Sequence, residues 1–318
     1  MNGAINFTYG FSHGVEWGWP IAVYLLLAGI SGGAIIVALM IRYYTKQTEE
    51  TPLLKAASLV SFITIALGMV FLVGDLEKPL YFWKILINYN FTSVMSIGVL
   101  ALCIYIPLTF VMCVYVFEKE IFSFIPESFM VLAQTIMSIL KTFRPFIQIL
   151  CVVFAVVVCA YTGFLISVLV RFPILNTAIL PALFVVSGLS AGTAASSLVA
   201  AKWFHEDTHS ADMKILHTLE WPIMAVEMLF LFMLYISLVV GNAAQQSTTM
   251  AFTGGAYSSL LWMGVVGIGF GIPLIVNFAL GKKVASSCGA FYVSSIASVV
   301  GVLFLRMFII YAGQTFSV

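Results

Sequence analysis

The chain has 318 residues, of which 62% are hydrophobic and only 8% charged, whereas a soluble domain carries about 25% charged residues. A water-soluble globular domain is therefore excluded, and lipid is the main solvent. The net charge of +1, with no basic stripe along the chain, excludes a nucleic-acid partner.

The first 19 residues contain no Lys or Arg, so the positive region that opens a cleavable signal peptide is missing. The first apolar run, Pro20 to Ile41, is long enough to span a membrane and stay there. A hydrocarbon core of about 30 Å needs roughly 20 apolar residues as helix. Runs of that length recur near 20–42, 54–74, 92–117, 145–168, 179–201, 215–240, 256–280 and 288–312. They are continuous rather than alternating, which argues for helices against a closed barrel. The sequence thus predicts an all-α integral membrane protein of about eight transmembrane helices.

The stretch Gly29 to Gly33 (GISGG) in the first run resembles Gly188 to Gly192 (GLSAG) in the fifth. Both runs cross in the same direction, which suggests a parallel repeat of two four-helix bundles. Small residues at close spacing are also ordinary membrane packing, so both readings stand.

Loop cations set the orientation. One side holds Lys78, Lys84 and Arg171. The other holds Arg42, Lys46, Lys55, Lys119, Lys141, Arg144, Lys202, Lys214, Lys282 and Lys283. Ten against three predicts that both termini face outward, the periplasm of a bacterial inner membrane.

Few ionisable groups remain at membrane depth: Glu220 and Glu227 in the sixth run and Arg306 in the eighth, with Asp75 ending the second. Placing such a group in hydrocarbon costs at least about 3 kcal/mol, so each needs a partner or a wet cavity. With the termini outside, Arg306 is expected about six residues, or roughly 9 Å, below the outer surface. Tyr24, Asp75 and Tyr161 fall in the same outer layer, and His13, Glu16, Trp17 and Trp19 precede the first helix on that side. A single tyrosine there is commonly an interfacial anchor; an acid, a cation and two phenols together suggest a site. His217, Glu220 and Glu227 share one face of the sixth helix and suggest a proton path from mid-membrane to the inner surface. An ion pair of one glutamate with Arg306 is the structural alternative.

The five cysteines, Cys103, Cys113, Cys151, Cys159 and Cys288, form no C-x-x-C pair and read as packing residues rather than an iron–sulfur cradle. The four histidines cannot clamp a haem at depth. Redox chemistry would have to use a diffusible carrier or a partner's cofactor, with no haem, iron–sulfur cluster or metal in this chain.

Longer strings carry a family likeness. They are Trp17 to Tyr24 (WGWPIAVY), Ser31 to Ala34, Phe82 to Lys84 followed by Asn90 to Ser96, Ala160 to Leu165, Leu180–Pro181, Ser187–Gly188, and Gly301 through Arg306 to Gln314. The chain resembles, almost end to end, the NrfD/PsrC family of membrane subunits of nitrite-reductase-type and polysulfide-reductase-type complexes. The resemblance implies one membrane domain over 1–318, with bundles at about 20–168 and 179–312. It implies exchange of electrons between menaquinol and a periplasmic four-cluster-type iron–sulfur subunit, accompanied by a molybdopterin or cytochrome catalytic subunit. The family's functional positions are matched by Tyr24, Asp75, Tyr161, Glu220, Glu227 and Arg306. Glu220 departs from the aspartate of some relatives, and Asp75, where nitrite-type members carry histidine, leans towards the polysulfide branch.

On this reading the quinol ring sits among His13, Tyr24, Asp75 and Tyr161, with Asp75 as proton acceptor and Arg306 holding a neighbouring carboxylate ionised. His217, Glu220 and Glu227 connect the site to the cytoplasm. A stand-alone proton-coupled transporter and a passive membrane anchor are the alternatives.

Overall fold

A computed structural model describes residues 17–315 apart from 48, 77, 209 and 280–286. Eight helices in it are long and apolar enough to cross a membrane. In order along the sequence they are α1 (Trp19–Thr45), α2 (Pro52–Gly74), α3 (Val94–Val116), α4 (Arg144–Ser167), α5 (Ile179–Trp203), α6 (Ala211–Val239), α7 (Leu260–Asn277) and α8 (Cys288–Thr315). Each matches one of the expected runs, with ends shifted by a few residues.

Local chemistry explains several ends. Pro20 and Pro52 sit at the first turns of α1 and α2, where a missing N–H is harmless. The Thr51 side chain accepts from the Leu54 N–H at 3.2 Å and opens α2, and Ser210 does the same for α6 through Met213 N–H at 3.3 Å. Lys46 adopts the left-handed conformation (φ 53°) and its N–H closes α1 on Arg42 O. Pro107 and Pro222 lie inside α3 and α6, as membrane helices tolerate. The segments Leu260–Gly271 and Ile275–Ala279 wind as π-helix. Gly264 and Gly269 in that helix let Phe304 and Gly301 of α8 pack against its backbone.

The helices α1, α2, α3 and α4 contact one another in ring order. Among the second four, α5 packs on α6 and α8, and α7 packs on α8. The two groups meet chiefly where α1 lies against α5. There the two glycine-rich stretches touch directly: a Cβ on Gly33 would stand 2.0 Å from Gly188 O, and one on Gly192 2.3 Å from Ala34 N. Only hydrogen side chains permit backbones this close.

Two differences from the expected layout matter. The third loop contains helices at Glu118–Phe124 and Glu127–Thr142. The second is amphipathic, with Phe129, Leu132, Ile136 and Ile139 exposed, the pattern of a helix lying along a membrane surface. Salt bridges Lys55–Glu120 (2.5 Å) and Lys141–Glu118 (2.8 Å) fasten the Glu118–Phe124 helix. Also, α8 continues to Thr315, nine residues beyond Arg306, about 13 Å at helical rise. Arg306 sits level with Gly29, five residues along α1 from Tyr24, rather than level with Tyr24 itself.

Candidate functional site

The end of the α1–α4 ring at which α1 begins, outer in the orientation expected from the loop cations, holds two phenols. Tyr24 is fully buried, packed against Gly68 of α2. Its hydroxyl has no hydrogen-bond partner among the described residues. Tyr161 is also buried and lies on Gly98 of α3, where an added Cβ would fall 1.7 Å from its Cε2. The two phenols are close enough to interact electrostatically. Gly98 thus makes the seat of Tyr161, whereas a Cβ at Gly68 would stand 3.4 Å from the Tyr24 ring, an ordinary contact; sequence alone does not show that Gly98 plays this part.

Asp75 caps the outer end of α2 through its backbone N–H, which donates to Phe71 O at 3.1 Å. Its carboxylate is exposed and makes no hydrogen bond to either phenol among the described residues. Partial desolvation nevertheless raises the carboxyl above the ordinary aspartate range. His13 and Glu16 lie outside the described residues. Trp17 is tied to the end of α8 by a two-way clasp: its N–H donates to Gln314 Oε1 (2.8 Å), and Gln314 Nε2 donates to Trp17 O (3.1 Å). Trp19 packs edge-on against Phe71 at 6.0 Å.

Arg306 does not join the phenols. It is fully buried at the level of Gly29 and Gly188, with Nη2 3.5 Å from where a Gly29 Cβ would be. That Nη2 donates to Ser187 Oγ at 2.7 Å and Phe184 O at 3.2 Å. The guanidinium sits 3.6 Å from the centroid of the Phe184 ring, within cation–π range. Its Nε and Nη1 have no partner among the described residues.

The counter-charge is Glu227, also buried. Its Oε2 has no hydrogen-bond partner among the described residues, and the carboxylate interacts electrostatically with Arg306, although no contact within 4 Å joins them. A small void of ≈ 10 Å³ lies beside Glu227, lined by Ser190, Ser298 and Gly301 among others. A second small void of ≈ 20 Å³ follows, sharing Ser190 and Ser298 and adding Glu220, Asn277 and Ser294. At its inner end His217 Nδ1 lies 3.0 Å from Glu220 Oε2, with the imidazole edge-on to Phe291 at 5.3 Å. The expected row on α6 is therefore joined by serines from α5 and α8. Those serines escaped sequence reading because serine is common in membrane helices.

Eight apolar spans with buried ionisable groups between them define an integral, multi-pass, all-α membrane protein. Within that class, the model of the family described as "Polysulphide reductase, NrfD" matches residues 9–318, and the chain belongs to that family. It is 41% identical to the C subunit of polysulfide reductase from Wolinella succinogenes over 306 residues, 95% of both proteins. It is 34% identical to protein NrfD of Escherichia coli over 310 residues, 94% of this chain and 95% of the relative. It is 33% identical to the NrfD homolog of Haemophilus influenzae over 306 residues, 94% of each. The chain is accordingly a multi-pass membrane protein of the NrfD family.

Proposed function

We propose that this subunit exchanges electrons between menaquinol and an iron–sulfur subunit docked on its outer, periplasmic face, the terminal catalytic site lying on a further molybdopterin or cytochrome subunit. The observation that carries the reading is the pair of buried phenols at the outer end of the α1–α4 ring. A buried hydroxyl without a partner forfeits about 1–3 kcal/mol. The Tyr24 hydroxyl fits a ligand oxygen, because a bound carbonyl or phenol would supply the missing hydrogen bond.

Menaquinol supplies two electrons and two protons when bound. Tyr24 and Tyr161 would orient its oxygens by hydrogen bonding, and the apolar walls around them would exclude bulk water. Asp75, at the exposed rim, would take up a released proton through water rather than by direct contact. Arg306 is too deep to touch the ring and instead offsets the charge of Glu227. His217, Glu220 and Glu227 would carry protons between mid-membrane and the inner face.

The docking face for the partner would be the loop between α2 and α3. There Leu80, Tyr81, Trp83, Ile87 and Phe91 are exposed outside the spans, and Lys84 lies over the Tyr81 and Trp83 rings at 4.7 and 5.9 Å. Exposed aromatic clusters of this kind mark interaction surfaces. Purification in mild detergent tests the reading. The expected result is co-purified iron–sulfur absorbance and reduction of the clusters by a menaquinol analogue. A lone, colourless protein that ignores quinol would exclude it.

A further inference from the structure

Where α1 stops and α6 starts, at the inner side in the orientation expected from the loop cations, the two helices leave a groove between them. Val37 and Ile41 of α1 share a small buried cluster with Met213 and Leu216 of α6. The neighbouring positions around each helix are uncovered: Met40 and Tyr44 on α1, and Lys214 and Thr218 on α6, are exposed. Residues 40 and 44, 214 and 218, and 215 and 219 are each one turn apart, so each helix presents a stripe. Between the stripes the groove has a volume of ≈ 370 Å³, within the range of about 300–1,000 Å³ typical of ligand sites.

The groove is apolar at depth and polar at its rim. Met40, Ile41, Ile215 and Leu219 supply the hydrocarbon, and the polar side chains are Tyr44, Lys214 and Thr218. Leu219 lies eight residues into α6 and Met40 five from the end of α1, about 12 and 8 Å at helical rise. The groove therefore runs from the headgroup boundary well into one leaflet, whose hydrocarbon half is about 15 Å thick.

Charge at the rim is one-sided. Other cations on this side are paired: Arg42 and Arg144 with Glu50, Lys55 with Glu120, and Lys141 with Glu118. Lys214 makes no ion pair among the described residues. The acid two residues before it, Asp212, is buried and accepts from Gln47 Nε2 at 3.0 Å. That bond ties the turn after α1 to the start of α6, and it brings the exposed Lys46, next to Gln47, to the same rim. Glu49 lines the separate cleft beside Arg144. The Thr218 hydroxyl donates to Lys214 O at 2.9 Å. Two ammonium groups and the Tyr44 phenol thus remain as donors.

Snorkelling accounts for a lysine at a helix end, but it requires no concave apolar surface beside it. An apolar groove holds water poorly, and at this depth in a bilayer the material that fills it is an acyl chain. The headgroup of that chain then lies at the rim, where unpaired cations favour a net negative phosphate diester over a zwitterionic one.

We infer that this groove is a binding site for one anionic phospholipid of the inner leaflet, with an acyl chain along Met40, Ile41, Ile215 and Leu219 and the phosphate held by Lys214, Lys46 and the Tyr44 hydroxyl. The lipid would fill the gap between α1 and α6 that no side chain covers. The site is independent of the redox function proposed above.

The test uses the intact complex, reconstituted in vesicles of equal parts phosphatidylglycerol and phosphatidylcholine and then extracted in mild detergent. Native mass spectrometry counts the lipids retained. The wild type is expected to keep one phosphatidylglycerol in preference to phosphatidylcholine. Lys214→Gln should lower that preference about fivefold, the contribution of one lysine near a lipid surface, and Lys46→Gln should add to the loss. Lys119→Gln, which removes an exposed cation from the other cleft, should change nothing. Met40→Trp fills the groove from an exposed position without altering a charge, and should release the lipid while the melting temperature in detergent shows the protein folded. Equal retention of the two lipids by the wild type, or equal losses in Lys214→Gln and Lys119→Gln, overturns the site and leaves Lys214 an interfacial anchor. Undiminished retention in Met40→Trp overturns the groove as the place where the chain lies.

Discussion

Helices α1–α4 and helices α5–α8 handle buried polarity differently. In the α1–α4 ring the polar groups at mid-depth are neutral: Ser31, Ser58, Ser61, Tyr105 and Gln148. Among the described residues of α5–α8 they include a full charge pair, Glu227 and Arg306. Neutral hydroxyls can satisfy one another in a closed set, as Ser31, Ser61 and Tyr105 do in a triangle with contacts of 3.1, 3.0 and 3.1 Å. A charge in hydrocarbon cannot, so Arg306 gathers a carbonyl, a hydroxyl, an aromatic face and a distant carboxylate. The ring should therefore tolerate loss of one polar group far better than the second half does.

The largest expected effect tests that asymmetry. Arg306→Met would leave Glu227 as a buried carboxylate without its counter-charge, a change that costs about 3–5 kcal/mol in buried pairs. The expected outcome is a large loss of accumulated, folded protein and of thermal stability in detergent. Adding Glu227→Gln should restore much of it. A single variant as stable as wild type would show that the two charges are uncoupled.

The seam between the halves comes next. A valine at Gly33 would place Cβ 2.0 Å from Gly188 O, so α1 and α5 must separate. Overpacking of this kind costs about 1–3 kcal/mol. Gly74→Ala, where nothing lies within 4 Å of the added Cβ, is the matched control and should be neutral. The contrast, read as melting temperature, measures how much the seam contributes. It should be large, because 83% of the apolar window of α1 is buried inside the protein against 17% for α6.

What could be read from the sequence follows the same division. The spans were legible because hydrocarbon thickness sets their length, and Glu227 and Arg306 were legible because charge is rare at depth. The hydroxyl triangle was not: serine and tyrosine are common in membrane helices, and pairing Ser31 with Ser61 and Tyr105 requires knowing which helices are neighbours. The sequence ends the last helix at 312, whereas the structure carries it to Thr315. The surface helix Glu127–Thr142 carried a readable signal, apolar residues three and four apart, but its charged flanks led to a loop. For GISGG and GLSAG the sequence leaves a repeat and close packing both open; the structure packs the two stretches against each other, a contact that requires knowing that α1 and α5 are neighbours.

Within the ring, Tyr24→Phe separates chemistry from folding. The hydroxyl has no partner among the described residues, so its removal should leave thermal stability unchanged or slightly raised. Quinol-linked electron transfer should nevertheless fall by about tenfold to a hundredfold, the effect of losing one positioned hydrogen bond. Loss of both together would indicate a packing role, and loss of neither would remove Tyr24 from the site.

The smallest effect belongs to Asp75, whose carboxylate is exposed at the rim, and the pH profile is the sharper measurement there. Its carboxyl titrates above the ordinary aspartate value of about 3.9 because burial partly desolvates it. As pH falls through that raised value, Asp75 takes up a proton and ceases to act as a base. The quinol-linked rate should therefore drop on the acid side earlier than an ordinary aspartate would require. In Asp75→Asn that acid limb should vanish, leaving a flatter profile with a rate lower by about tenfold or less, since water can reach the position and substitute. Superimposable profiles for the two proteins, measured on complexes with the same iron–sulfur content, would show that the proton leaves by another route.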